Sequence, residues 1–156
     1  MTTEELPYVD EHATTIAASV DDVWAMLTDR IDHAFSHGPV ATFAGAVGCE
    51  STASTGPRPL VVGSTIPGFR VARAVYAQEL VLEGRHRFSS YALTFRLEPM
   101  GPVRTRLRAE TRAAFPGFAG GTYRLLVITT GGHVVAVRRL LTDVKRRCET
   151  PLPLTS

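Results

Sequence analysis

Residues 122–148, TYRLLVITTGGHVVAVRRLLTDVKRRC, decide how this chain folds. Steps of three and four pick out Tyr123, Leu126, Val127, Thr130, Val134, Val137, Leu141, Val144 and Cys148, one apolar stripe at the period of an α-helix. Arg124, Arg138, Arg139, Asp143, Arg146 and Arg147 fall on the opposite flank and suit water. A helix over the whole stretch would span about 40 Å. A stripe of that length needs a broad concave partner.

The chain upstream can supply one. Leu60 to Ala113 has the texture of β-structure. Phe69–Tyr76 is one expected strand and Glu79–Phe88 a second. In the second, Leu80, Leu82, His86 and Phe88 share a face. Tyr91, Leu93, Phe95 and Leu97 share a face of a third strand. A turn at Ser89-Ser90 sets Phe88 opposite Tyr91 and His86 opposite Leu93, so the two apolar faces coincide. A fourth strand, Val103–Ala113, alternates Arg104, Arg106, Arg108, Glu110 and Arg112 outward with Thr105, Leu107, Ala109 and Thr111 inward. For those inward residues to continue the face of Leu97 and Phe95, the connection must hold an odd number of residues, most simply Met100–Pro102. The inward residues of this strand are small. They leave room either for a cavity or for side chains of the helix above.

The first part of the chain is expected to be a strand over Tyr8–Ala18, then a short helix capped by Ser19, with Asp21 and Asp22 at its positive end. Val20, Val23, Trp24 and Leu27 form its apolar face. A second short helix is expected over Ile31–His37, stopped by Gly38-Pro39. Val40–Val47 is a further candidate strand, and Gly48–Pro59 a loop.

At 156 residues, 44% hydrophobic and 21% charged, the chain is expected to be a single domain over 1–156 with tails at 1–7 and 149–156. Such a composition is neither disordered nor fibrous. No apolar run approaches the roughly 20 residues of a membrane span, and Met1–Leu6 has two acids and no basic segment. Neither an integral membrane protein nor a secreted one is expected. Cys49 and Cys148 read as free thiols of a reducing cytoplasm. The net charge is +2 and nearly every cation is arginine, too weak a bias to imply nucleic acid. The row Arg104, Arg106, Arg108, Arg112, with Arg96 beside it, lacks interleaved aromatics for base stacking. It reads either as a grip for an anionic surface or as the solvated outer face of a sheet.

The order of elements, together with Ile16-Ala17-Ala18-Ser19-Val20-Asp21-Asp22-Val23-Trp24-Ala25-Met26-Leu27-Thr28-Asp29, Val62-Gly63-Ser64 and Tyr76-Ala77-Gln78-Glu79-Leu80-Val81-Leu82, resembles the START-like, polyketide-cyclase-like (SRPBCC) superfamily. Members usually carry Pro in the slot of Ala77. The resemblance covers nearly the whole chain. It implies an α+β helix-grip fold: a curved antiparallel sheet of about seven strands, wrapped around a long C-terminal helix, with two short helices after the first strand. It also implies a hydrophobic cavity that takes lipid, polyketide or aromatic ligands. A minority of members are cyclases or dehydratases. No universal catalytic motif carries over.

His86 is the first candidate for chemistry, either orienting a ligand oxygen or acting as acid and base, against the plainer reading of a satisfied core histidine. Tyr91 and His133 are further candidates. Gly131-Gly132 beside His133 would be costly inside a helix and could make space for a ligand. His33 and His37 have the spacing of a metal pair, but a solvated helix face explains them more simply; no metal and no cofactor is expected. The expected ligand-binding walls are Leu80, Leu82, His86, Phe88, Tyr91, Leu93, Phe95, Leu97, Leu107, Leu126, Thr130, His133 and Val134. Three functions follow: a carrier or sensor enclosing a small apolar molecule, a cyclase- or dehydratase-like enzyme with His86 as acid/base and Tyr91 as donor, or an interaction module with a filled core. A homodimer through the outer sheet face is left open.

Overall fold

The computed structural model describes residues 5–36, 60, 62–66, 69–86, 89–114 and 132–150; within these, the side chains at 35, 36, 86, 89, 132 and 133 fall outside the description. The described elements are β1 (Tyr8–Ile16), α1 (Val20–Ser36), β2 (Thr65–Ile66), β3 (Phe69–Val75), β4 (Glu79–His86), β5 (Ser89–Pro99), β6 (Thr105–Ala114) and α2 (Gly132–Glu149). The strands form one antiparallel sheet in the order β1-β6-β5-β4-β3-β2, curved and open. Six strands are present among the described residues, where about seven were expected; the candidate strand at 40–47 and the loop at 48–59 lie outside them.

β1 ends at Ile16, two residues short of expectation, and α1 starts where Ser19 caps it. The Ser19 Oγ accepts the Asp22 N–H at 3.2 Å, leaving one fewer orphan donor in the first turn. The two short helices expected here are one continuous 17-residue helix. Nothing between Leu27 and Ile31 breaks it, since that stretch holds neither Gly nor Pro. The Thr28 hydroxyl is satisfied inside the helix by the Trp24 carbonyl.

The β4–β5 hairpin has the expected shared face but a different register. Leu82 pairs with Leu93, Leu80 with Phe95 and His86 with Ser89. The connection is therefore residues 87 and 88, and Ser89-Ser90 belong to β5. Alternation fixes only which face a residue takes, and a slide by an even number of positions preserves it. The observed register sets Leu opposite Leu and Phe, and Glu79 opposite Arg96.

Likewise β5 and β6 join through five residues, 100–104, instead of three, closed by the Met100 N–H on the Arg104 carbonyl at 2.8 Å. Leu97 meets Leu107 and Phe95 meets Ala109, so the expected face is kept while the register moves by two residues. The β3–β4 turn is closed by the Gln78 N–H on the Val75 carbonyl, with Ala77 at φ 58°. Proline is locked near φ −65°, so the residue usual in the superfamily cannot occupy this backbone.

The described part of the last helix starts at Gly132 and is 18 residues long, about 27 Å. Residues 122–131, including Tyr123, lie outside the described residues. Val137, Leu141 and Val144 of the expected stripe are buried, and Leu140 widens it. They join Ile16, Val23, Trp24, Leu27, Ile31, Leu80, Phe95 and Leu107 in one core between sheet and helices. The C-terminal half of α2 is also tied by polar contacts. Lys145 Nζ donates to the Thr15 carbonyl at 2.6 Å, the Ala17 N–H donates to Glu149 Oε2 at 2.9 Å, and Arg30 Nε donates to Asp143 Oδ2 at 2.8 Å.

Candidate functional site

The pairings fix which residues share the concave face. Rows across it read Ile16–Thr105, then Thr14–Leu107–Leu97, then His12–Ala109–Phe95–Leu80, then Asp10–Thr111–Leu93–Leu82. A further row carries Ala113, Tyr91 and Gly84. Burial falls along these rows. Ile16, Thr105, Leu107, Phe95 and Leu80 are fully buried, whereas Asp10, His12, Thr111 and Tyr91 are only partly so. The buried end lies under the anchored half of α2. The last row carries the small residues Ala113 and Gly84, next to a row in which Leu82 and Leu93 are still buried.

Most of the expected walls are brought together. Leu80, Leu82, Leu93, Phe95, Leu97 and Leu107 line one concave face within one core cluster. Tyr91 stands at its half-buried margin, edge-on to Phe69 with ring centroids 5.1 Å apart. Gly84, opposite Tyr91 in the ladder, leaves the gap across which the two rings meet. Val134 is half-buried on α2. Phe88, Leu126 and Thr130 lie outside the described residues. His86 occupies the last rung of β4, opposite Ser89 instead of Leu93, and His133 the second residue of α2; their side chains are outside the description.

Two residues that the sequence did not point to sit on this face. Glu11 is turned outward, where Arg108 pairs with it at 2.6 Å, and the alternation therefore turns Asp10 and His12 inward. His12 Nε2 lies 3.4 Å from Asp10 Oδ2, with side chains 17% and 23% exposed. Beside Asp10 in the ladder, the Thr111 Oγ1 is shielded from solvent and has no hydrogen-bond partner among the described residues. None of the expected wall residues is an acid. β1 carries Asp10, His12 and Thr14 on one side and Val9, Glu11, Ala13 and Thr15 on the other, so polarity alone does not say which side is inward. Only its pairing to β6 does. An imidazole held by a carboxylate in a half-buried setting can orient a polar group or move a proton.

The convex face shows where three of the five arginines of the row are engaged. Arg108 spans Glu11 and Glu98, Arg96 spans Glu79 and Glu110, and Arg112 pairs with Glu110. Their stems lie over a face whose Val81, Ala92 and Thr94 are buried. The hydrogen bond from Arg108 holds the Glu98 carboxyl below its ordinary range. At Glu110 burial pushes the carboxyl up, and Arg112 and Arg96 outweigh it, leaving it lowered. These three arginines are engaged with acids of the same sheet, whereas Arg104 and Arg106 are exposed. An open depression of about 470 Å³ on the outer side of α2, at Val135, Arg138, Arg139, Thr142, Asp143 and Arg146, does not reach the concave face. Among the described residues no three His, Cys, Asp or Glu side chains group as metal ligands, and no helix is long and apolar enough to cross a membrane.

No protein-family model matches the sequence, and no curated protein does. Solved structures do match. Norcoclaurine synthase from Thalictrum flavum superposes with a TM-score of 0.59 at 13% identity, covering 95% of this chain and 99% of that one. The Zhui aromatase/cyclase from Streptomyces sp. R1128 gives 0.53 at 16% identity, covering 92% and 96%. The Aha1 dimer from Colwellia psychrerythraea gives 0.53 at 18%, covering 89% and 94%. The chain thus has the helix-grip fold that the sequence resemblance implied.

Proposed function

We propose that the protein binds a small hydrophobic molecule between the concave sheet face and the N-terminal half of α2. The observation that carries this reading is the gradient along the inner face. Large, fully buried side chains fill the rows from Ile16–Thr105 to Phe95–Leu80, Leu82 and Leu93 stay buried in the next, and the last row is floored by Ala113 and Gly84 with Tyr91 and Phe69 half-buried at its margin. Pockets for small molecules are mostly apolar with a few convergent polar groups, and this one has Asp10, His12 and Thr111. The aromatase/cyclase among the structural neighbours is consistent with a polyketide or aromatic ligand, at the level of fold analogy.

Fluorescence titration with N-phenyl-1-naphthylamine tests the reading. Burying about 250 Å² of apolar probe contributes on the order of 6 kcal/mol before the costs of association. Saturable, blue-shifted binding of one probe per chain in the micromolar range is expected. Ala113→Trp fills the half-buried end and should abolish it while leaving the far-UV circular dichroism intact. A wild-type chain that takes no probe has a filled core and is an interaction module. Native mass spectrometry of the purified protein would show whether an apolar molecule accompanies it. An enzymatic reading is favoured by the Asp10–His12 pair, which supplies an acid/base candidate that His86 was expected to provide.

A further inference from the structure

Resting on the pocket proposed above, we infer that Thr111, Asp10 and His12 form a clamp for a single hydroxyl group, so that the preferred ligand is an apolar alcohol or phenol. The Thr111 Oγ1 faces the interior without a partner among the described residues. Buried hydroxyls in folded proteins are nearly always satisfied, and a bound molecule is the natural source of the missing bond. Asp10 is its cross-strand neighbour, and the Asp10 carboxylate is within 3.4 Å of His12. Side chains directly opposite in a ladder have Cβ atoms about 5 Å apart, the spacing at which one small group can touch both.

The donor and acceptor pattern selects the group. A threonine hydroxyl can give or take a hydrogen bond, and an ionised carboxylate can only take one. A ligand hydroxyl can accept from Thr111 and donate to the Asp10–His12 pair in the same pose. A hydrocarbon leaves Thr111 dry. A carboxylic acid, ionised at neutral pH, has no proton to donate and sets a second negative charge beside Asp10. The surrounding face, Leu93, Ala109, Ala113 and Tyr91, suits an apolar body.

Displacement of N-phenyl-1-naphthylamine from the full chain at pH 8 by 2-naphthol, naphthalene and 2-naphthoate decides it. A wholly apolar cavity ranks naphthalene first, because stripping water from a hydroxyl costs free energy. The clamp reverses that order, with 2-naphthol about tenfold tighter than either of the others. Thr111→Val is close to isosteric; it should weaken 2-naphthol about tenfold and leave naphthalene within about twofold. Asp10→Asn should tighten 2-naphthoate severalfold. Naphthalene binding as tightly as 2-naphthol, or Thr111→Val leaving 2-naphthol unchanged, overturns the clamp and leaves the pocket standing. Loss of probe binding in the wild-type chain removes both. Circular dichroism and Trp24 fluorescence report whether each variant is folded.

Discussion

Asp143 is the carboxylate on which α1 and α2 lock, and replacing it with asparagine should cost about 2 kcal/mol. It accepts from Arg30 Nε at 2.8 Å across the helix pair, and from Arg146 and Arg147 at 3.0 and 2.9 Å within α2. The three bonds differ in weight. Arg146 and Arg147 are 70% and 44% exposed, and such pairs contribute about 0–1 kcal/mol. Arg30 is 16% exposed and Asp143 23%, between a surface pair and a buried one, whose breakage costs about 3–5 kcal/mol. Asp143→Asn keeps the shape, removes the charge and leaves the Arg30 guanidinium half-buried. About 2 kcal/mol of a total near 5–15 is a drop of roughly 4–8 °C in Tm. Urea unfolding followed through Trp24, the sole tryptophan, gives the number. A double-mutant cycle with Arg30→Gln should give a coupling above about 1 kcal/mol, while Arg146→Ala and Arg147→Ala each stay under about 0.5. Burial by itself pushes the Asp143 carboxyl up; the hydrogen bonds from Arg147, Arg146 and Arg30 outweigh it and hold it below its ordinary range. A carboxyl lowered on folding adds stability above its unfolded value of about 3.9, and that stability is lost as pH falls through the folded value. The gap between wild type and Asp143→Asn should be flat from pH 5 to 8 and close below about pH 4. A cost under 0.5 kcal/mol with no coupling, or a gap that persists in acid, would refute the reasoning.

Two other outcomes follow from local chemistry. Ala77 sits at φ 58°, where an L-residue with a Cβ is strained by about 1–2 kcal/mol; Ala77→Gly should raise Tm by a few degrees in calorimetry, and Ala77→Pro should lower it sharply. Burial, then Asp22 and Glu149, raise the Cys148 thiol to about 11, so at pH 8.5 peptide mapping after iodoacetamide should show Cys148 modified far more slowly in the native chain than in urea.

Periodicity carried the fold further than it carried the site. Ser19 announced its helix because a cap is a local device, and the inward faces of β4, β5 and β6 were legible because alternation is a parity. Register was not, since Leu82 opposite Leu93 and a slide by an even number of residues obey the same parity, and only side-chain matching across the whole ladder separates them. The break placed between two short helices was illegible for the opposite reason: a polar interval such as Thr28-Asp29-Arg30 looks like a loop until its partners, the Trp24 carbonyl and Asp143, are known. Asp10 and His12 were missed because β1 has polar residues on both sides, so its orientation is set by an element almost a hundred residues away.

That last point bears on where function can reside in this chain. Among the described residues, the ties of α2 lie at or beyond Val137: the apolar contacts of Val137, Leu140, Leu141 and Val144, the Asp143 lock, and the bonds of Lys145 to Thr15 in β1 and of Glu149 to Ala17 just after it. Around Leu82 and Leu93, which stay in the core, the rest of the inner face carries Ala113, Gly84, Asp10, His12 and Thr111. Polar residues in the anchored half would be costly, as Thr105 illustrates by donating to the Ala18 carbonyl at 2.9 Å to be tolerated there at all. For the pocket proposed above, variants of Asp10, His12 and Thr111 should change ligand preference at little expense in stability, whereas changes around Asp143 should act mainly on stability.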